Sequence, residues 1–130
     1  MKLEELIFES EDIESFANMI KEKYGLLKFD LYLNRYGQIE LQMIEVPKTE
    51  RSVGAGSAAI KELINYADRN GHLIWMSIAD KNATTGTTSK NRLKKFYKQF
   101  GFVENKGRNK DFSLSRYAEM YRLPKSGSGI

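Results

Sequence analysis

Apolar residues recur along this chain at two spacings, and the switches between them divide it into elements. From Ile13 the set Ile13, Phe16, Ala17, Ile20 and Tyr24 follows a helical period and stops at Gly25. Ser10 is a candidate N-cap for this helix, with Glu11, Asp12 and Glu14 in its first turn. Leu3–Phe8, ahead of it, reads as a short strand. Leu27, Phe29, Leu31 and Leu33 then alternate with more polar residues, as do Ile39, Leu41 and Met43, which predicts a β-hairpin turning near Tyr36-Gly37. A second helix is expected from about Ser57, with Ile60, Leu63, Ile64 and Ala67 on one face, Lys61, Glu62, Asn65 and Asp68 on the other, and Gly71 as its stop.

His72–Ala79 is too apolar for a surface strand and predicts a central strand covered on both faces. A strand, a helix and a strand in succession imply a right-handed crossover between parallel strands. After a polar loop at Thr84–Ser89, a third helix from about Ser89 to Phe100 should bury Leu93, Phe96, Tyr97 and Phe100 before Gly101. Phe102–Glu104 and Glu119–Leu123 read as final strands, while the pattern assigns nothing to Asn105–Arg116. Residues 1–125 are therefore expected to form one α/β (α+β) domain, followed by a flexible tail at 126–130.

Composition narrows the chemistry. Having no cysteine, the chain has no disulfide framework, thiolate metal site or catalytic thiol, and its one histidine, His72, excludes histidine-rich metal sites. No metal is expected. No apolar run approaches a membrane span and the acidic N-terminus is unlike a signal peptide, so the expectation is a cytoplasmic protein without a membrane. The net charge of +4 conceals a gradient. Residues 1–50 carry 6 Lys/Arg against 11 Asp/Glu, whereas residues 90–125 carry 11 against 3. That basic third could attract an anionic cofactor, an acidic protein or nucleic acid, or could be a solvated helix face.

The turn Arg51-Ser52-Val53-Gly54-Ala55-Gly56-Ser57, between a strand and a helix, is the candidate binding element. Glycines admit an anion close to the backbone, and the unpaired N–H groups of a helix's first turn point at it. Gly54-Ala55-Gly56-Ser57-Ala58-Ala59 fits a dinucleotide fingerprint, with Asp80 at about the expected distance. However, residues 47–53 separate the first glycine from the strand, and a single strand-helix-strand unit is present. A P-loop would need a Gly-Lys-Ser/Thr that is missing.

Arg51-Ser52-Val53-Gly54-Ala55-Gly56 resembles the R/Q-x-x-G-x-G/A signature of the GNAT N-acetyltransferases. Tyr97, followed by Gly101-Phe102, resembles that family's tyrosine ahead of Gly-Phe, and Ala118–Leu123 resembles its final strand. The resemblance covers most of residues 26–123. It implies a GNAT-type mixed, largely antiparallel sheet flanked by helices, with the parallel crossover at the cofactor site. It also implies acetyl transfer from acetyl-coenzyme A directly to an amine. Under it, Arg51, Ser52, Val53, Gly54, Ala55, Gly56 and Ser57 would hold the pyrophosphate, and Ile44, Glu45 and Val46 would flank the pantetheine arm.

Tyr97 would be the general acid beside the thioester sulfur, although its spacing from Leu93 and Phe100 also fits a core aromatic. Glu40 and Glu45 are the candidate bases or else exposed carboxylates, and their odd separation on one strand should let at most one face the site. Where many members have an asparagine, this chain has Lys90 with Asn91 adjacent, so Asn91 is the remaining candidate for that coenzyme contact. The acceptor, whether small molecule, peptide, protein or modified nucleic acid, is left open, as is a homodimer. The alternative is a noncatalytic module of the same fold that uses its basic segment to hold nucleic acid or an acidic protein.

Overall fold

A computed structural model describes residues 3–48, 54–78 and 90–125, with side chains from Ile13 onward. Helix α1 spans Leu3–Tyr24, strand β1 Lys28–Leu33, β2 Gln38–Glu45, α2 Ala55–Asn70, β3 Leu73–Met76, α3 Lys90–Lys98, β4 Val103–Glu104 and β5 Met120–Arg122. The sheet order is β1-β2-β3-β5-β4. β2 and β3 are parallel, and the other three pairings are antiparallel. The result is a mixed α+β fold in which the parallel strands β2 and β3 are joined through α2.

The β1–β2 hairpin turns where the sequence supplies turn chemistry. Gly37 adopts φ +77°, a left-handed conformation costly for a residue with a Cβ. Asn34 Oδ1 accepts from the amides of Tyr36 at 2.9 Å and Gln38 at 3.0 Å, closing the turn. Strand β3 occupies the middle of the sheet, and both its faces are covered. Ile74 and Met76 lie in the main core with α1, α2 and Tyr97, whereas Trp75 belongs to a second cluster with Leu114, Ala118 and Tyr121. Phe16 of α1 stacks on Tyr66 of α2, with ring centroids 4.5 Å apart.

Several boundaries differ from expectation. Leu3–Phe8 is not a strand, because α1 runs through Ser10 without a break; no glycine or proline separates the two segments and most of their residues favour helix. Helix α2 starts at Ala55, two residues before the expected Ser57. Strand β3 starts at Leu73, since the His72 amide is given to the Ala67 carbonyl at 2.8 Å in closing the end of α2; His72 Nδ1 lies 2.7 Å from the Gly37 carbonyl. Helix α3 ends at Lys98, and Tyr97 is its one buried residue, with Leu93, Phe96 and Phe100 half-buried. The final strands are shorter than expected. The predicted loop Thr84–Ser89 and the tail at 126–130 lie outside the described residues.

The unassigned connection before β5 is ordered by its own polar groups. Gly107–Asn109 forms a turn of 3-10 helix. Buried Asn105 donates from Nδ2 to the Ala118 carbonyl at 3.0 Å and accepts at Oδ1 from the Asp111 amide at 2.7 Å, tying the two ends of the segment together. Leu114 and Ala118 then anchor it on Trp75 and Tyr121.

Candidate functional site

The parallel pairing of β2 with β3 stops early. It joins Gln38 to Leu73, Ile39 to Ile74 and Glu40 to Trp75, and ends there, while β2 continues to Glu45 with β1 as its partner. Beyond Glu40, the β3 side of β2 has no strand beside it among the described residues. The two strands form a fork with its vertex at Glu40 and Trp75. The buried indole N–H of Trp75, the vertex residue on β3, has no hydrogen-bond partner among the described residues, an expensive arrangement for a donor removed from water.

A bulge lies on the free arm of the fork. Asp30 pairs with Met43 but Leu31 pairs with Leu41, leaving Gln42 as the extra residue. The bulge shifts the alternation by one. Ile39 and Leu41 before it, and Ile44 and Val46 after it, all pack on the main core. Glu40 and Glu45 therefore share the opposite face, which corrects the expectation that their odd separation divides them. Four regular steps of ~3.3 Å separate them by roughly 13 Å, so one acceptor amine could use only one of them. Both are half-buried, and Gln42 Nε2 lies 3.4 Å from Glu40 Oε1.

Helix α2 begins next to the end of this arm. Gly54 is its N-cap at φ +81°, and no side chain caps it among the described residues. The first turn carries no acidic residue. The Ala58 amide reaches the Gly54 carbonyl at 2.9 Å, so the N–H groups of Ala55, Gly56 and Ser57 precede the first intrahelical bond. A Cβ on Gly56 would come to 3.4 Å from Val46 Cγ2, so this glycine lets the helix start lie close against the end of the β2 arm. The glycines thus have separate local reasons: conformation at Gly54, proximity at Gly56. Arg51, Ser52 and Val53, the remainder of the predicted cradle, lie outside the described residues.

Tyr97 is 6% exposed, between Phe96 and Phe102 with centroid distances of 5.2 and 5.7 Å in edge contacts. Burial pushes its phenol up to about 12. No hydrogen bond joins Tyr97 to Glu40, Glu45 or the start of α2 among the described residues. Asn91 is exposed on α3, and its neighbour Lys90 pairs with Glu119 at 2.8 Å.

Much of the basic C-terminal charge is matched internally. Lys94, Lys98 and Lys106 surround Glu104 at 3.0, 2.9 and 3.3 Å, and hydrogen bonds from Lys98 and then Lys94 hold that carboxyl at about 2. Arg122, 5% exposed, makes a forked pair with Asp68 at 2.7 and 3.2 Å and donates from Nε to the Phe100 carbonyl at 2.9 Å. This pair escaped sequence reading because Arg122 is the third residue of an apolar strand and Asp68 lies on the polar face of a helix. Among the described residues, no cluster of three or more His, Cys, Asp or Glu side chains could hold a metal ion, and no helix is long and apolar enough to cross a membrane. Comparison of the chain with protein-family models, curated proteins and solved structures gives no match.

Proposed function

We propose that this protein is an acetyl-coenzyme A-dependent N-acetyltransferase, as the resemblance to the GNAT family implies. The observation that carries the reading is the fork: a parallel strand pair whose pairing ends at Glu40/Trp75, with the start of α2, capped by no side chain among the described residues, at the end of the β2 arm. An extended pantetheine arm is an amide chain, and the edge of residues 41–45, which has no strand beside it among the described residues, offers it backbone hydrogen bonds of the kind a strand would make. The pyrophosphate would meet the amides of Ala55, Gly56 and Ser57 and the positive end of the α2 dipole. Ile44 and Val46 would flank the arm, and Arg51, Ser52, Val53 and Gly54 would complete the cradle. Asn91 remains the candidate for an additional coenzyme contact from α3.

With the thioester toward the vertex, Glu40 is better sited than Glu45 to take the proton of the attacking amine. Attack forms the C–N bond and gives the amine proton to Glu40, the C–S bond breaks, and the departing thiolate takes up a proton from solvent. Tyr97 enters this step as a hydrogen-bond donor. A phenol at about 12 stays protonated at neutral pH. Full transfer from it to a thiolate whose conjugate acid lies near 8.5 would be uphill by roughly 5 kcal/mol. Stabilising the developing negative charge on sulfur requires only the donated hydrogen bond. The buried Trp75 N–H is a second donor beside the fork.

Isothermal titration with acetyl-coenzyme A tests the cofactor, and thiol release over a panel of polyamines, amino acids and peptides tests the reaction; absence of binding refutes the reading. Tyr97→Phe should leave coenzyme affinity within about threefold while lowering thiol release by roughly 100-fold. Its stability should change by less than about 1 kcal/mol, since it deletes a hydroxyl with no hydrogen-bond partner among the described residues. Full turnover by this variant would remove Tyr97 from the mechanism and leave the cofactor assignment standing.

A further inference from the structure

The segment that ties β4 to β5 presents two aromatic rings to water. Phe112 is 86% exposed and Tyr117 is 60% exposed, although a ring of that size normally gains by burial. Each ring is attended by a cation: Lys110 Nζ lies 5.7 Å from the Phe112 centroid, and the Arg116 guanidinium lies 5.0 Å from that of Tyr117. Arg108, also exposed, has no acidic partner among the described residues. The Asp111 carboxylate, the acid nearest Phe112 in sequence, is turned onto the amide and hydroxyl of Ser113.

These rings sit on a fixed support. Asn105 bridges Ala118 and Asp111, Tyr121 donates its hydroxyl to the Asn109 carbonyl, and Leu114 is buried beneath. Rings held in water on an ordered loop, alternating with positive charge, have the chemistry of a stacking platform on a phosphate-binding track. An acidic peptide would use the cations but leave the rings without a purpose. Duplex nucleic acid would also use the cations, but it keeps its base faces stacked inside the helix.

We propose that the 105–119 segment, through Arg108, Lys110, Phe112, Arg116 and Tyr117, binds single-stranded nucleic acid, with the bases stacking on the two rings. The site does not depend on the acetyl-transfer reading, and it would hold whether or not the fork binds coenzyme A.

Fluorescence anisotropy of the full chain with a short fluorescein-labelled single-stranded RNA, and with its DNA counterpart, reads this directly. Single strands should bind at least tenfold more tightly than the matching duplex. Log affinity should fall with log salt with a slope of about −2, from three cations at roughly 0.7 each. Phe112→Ala and Tyr117→Ala should each weaken binding about tenfold or more. Phe112→Trp should preserve binding and report it through quenched indole emission, guarding against a misfolded alanine variant. R108E/K110E should flatten the salt slope and weaken binding without shifting the thermal midpoint. The proposal is overturned by any of four results: no binding at low salt, equal binding of duplex, alanine variants that bind like the parent, or binding of poly-glutamate or phosphatidylserine vesicles in place of single strands.

Discussion

Asp68→Ala should cost about 3–5 kcal/mol of folding free energy, a large share of the total for a domain of this size. The cost comes from the charge left behind. Arg122 is 5% exposed and has Asp68 as both acceptors of its fork, so truncating the carboxylate leaves a guanidinium in the interior with the Phe100 carbonyl as its one remaining partner among the described residues. The Lys125 amide loses its acceptor in the same change. Urea denaturation should show the loss, and the double variant Asp68→Leu/Arg122→Met should recover most of it, because a matched apolar pair removes both desolvation penalties. A loss below about 1 kcal/mol would mean that the pair is solvated in solution.

The pH dependence of that difference has a definite sign. Burial alone would raise the Asp68 carboxyl, but hydrogen bonds from Arg122 and the Lys125 amide outweigh it and hold the group below its usual value. A carboxylate depressed in the folded state contributes stability above its unfolded value of about 4, and loses it as pH falls through the folded value. The gap between parent and Asp68→Ala should therefore be constant from pH 5 to 8 and narrow below pH 4. Glu104, held at about 2, loses its contribution in the same acid window. Subtracting the Asp68→Ala titration isolates the buried pair from it.

Ser57→Glu should move stability and coenzyme affinity in opposite directions. A carboxylate in the first turn of α2 meets the positive end of the helix dipole, where no acid now sits, and should stabilise the fold by about 0.3–1 kcal/mol. The same charge would face the proposed pyrophosphate. Repulsion of about 2–3 kcal/mol across a few ångströms of partly solvated surface gives a roughly 30- to 150-fold loss of acetyl-coenzyme A affinity. Thermal melts and titration on one sample read both numbers. A variant that is more stable and binds coenzyme as before would move the anion away from α2 and refute the cradle.

The second and third helices, the hairpin and the crossover were legible because each depends on local periodicity and a nearby turn residue. Ile60, Leu63 and Ala67 recur at helical spacing whatever they pack on, and Gly37 marks its turn without help from other elements. The limits of that reading appear in β2. Its alternation gives no sign that Gln42 would be expelled from the register, so Glu40 and Glu45 were assigned to opposite faces when the bulge puts them on one. Nor did the segment from Asn105 show a pattern, because its order comes from a buried amide bonding Asp111 and Ala118, two residues well ahead of it in the chain.

The sequence by itself determined the glycine turn, the tyrosine ahead of Gly101-Phe102 and the excess of positive charge near the C-terminus, since residue identity and spacing are properties of the chain. Only the tertiary structure decided where the parallel strands part, that Arg122 is buried against Asp68, that Glu104 gathers three lysines, and that Phe112 and Tyr117 are left in water. Each of these depends on groups far apart in sequence competing for the same space and the same hydrogen bonds, and that competition is resolved only when the chain closes on itself.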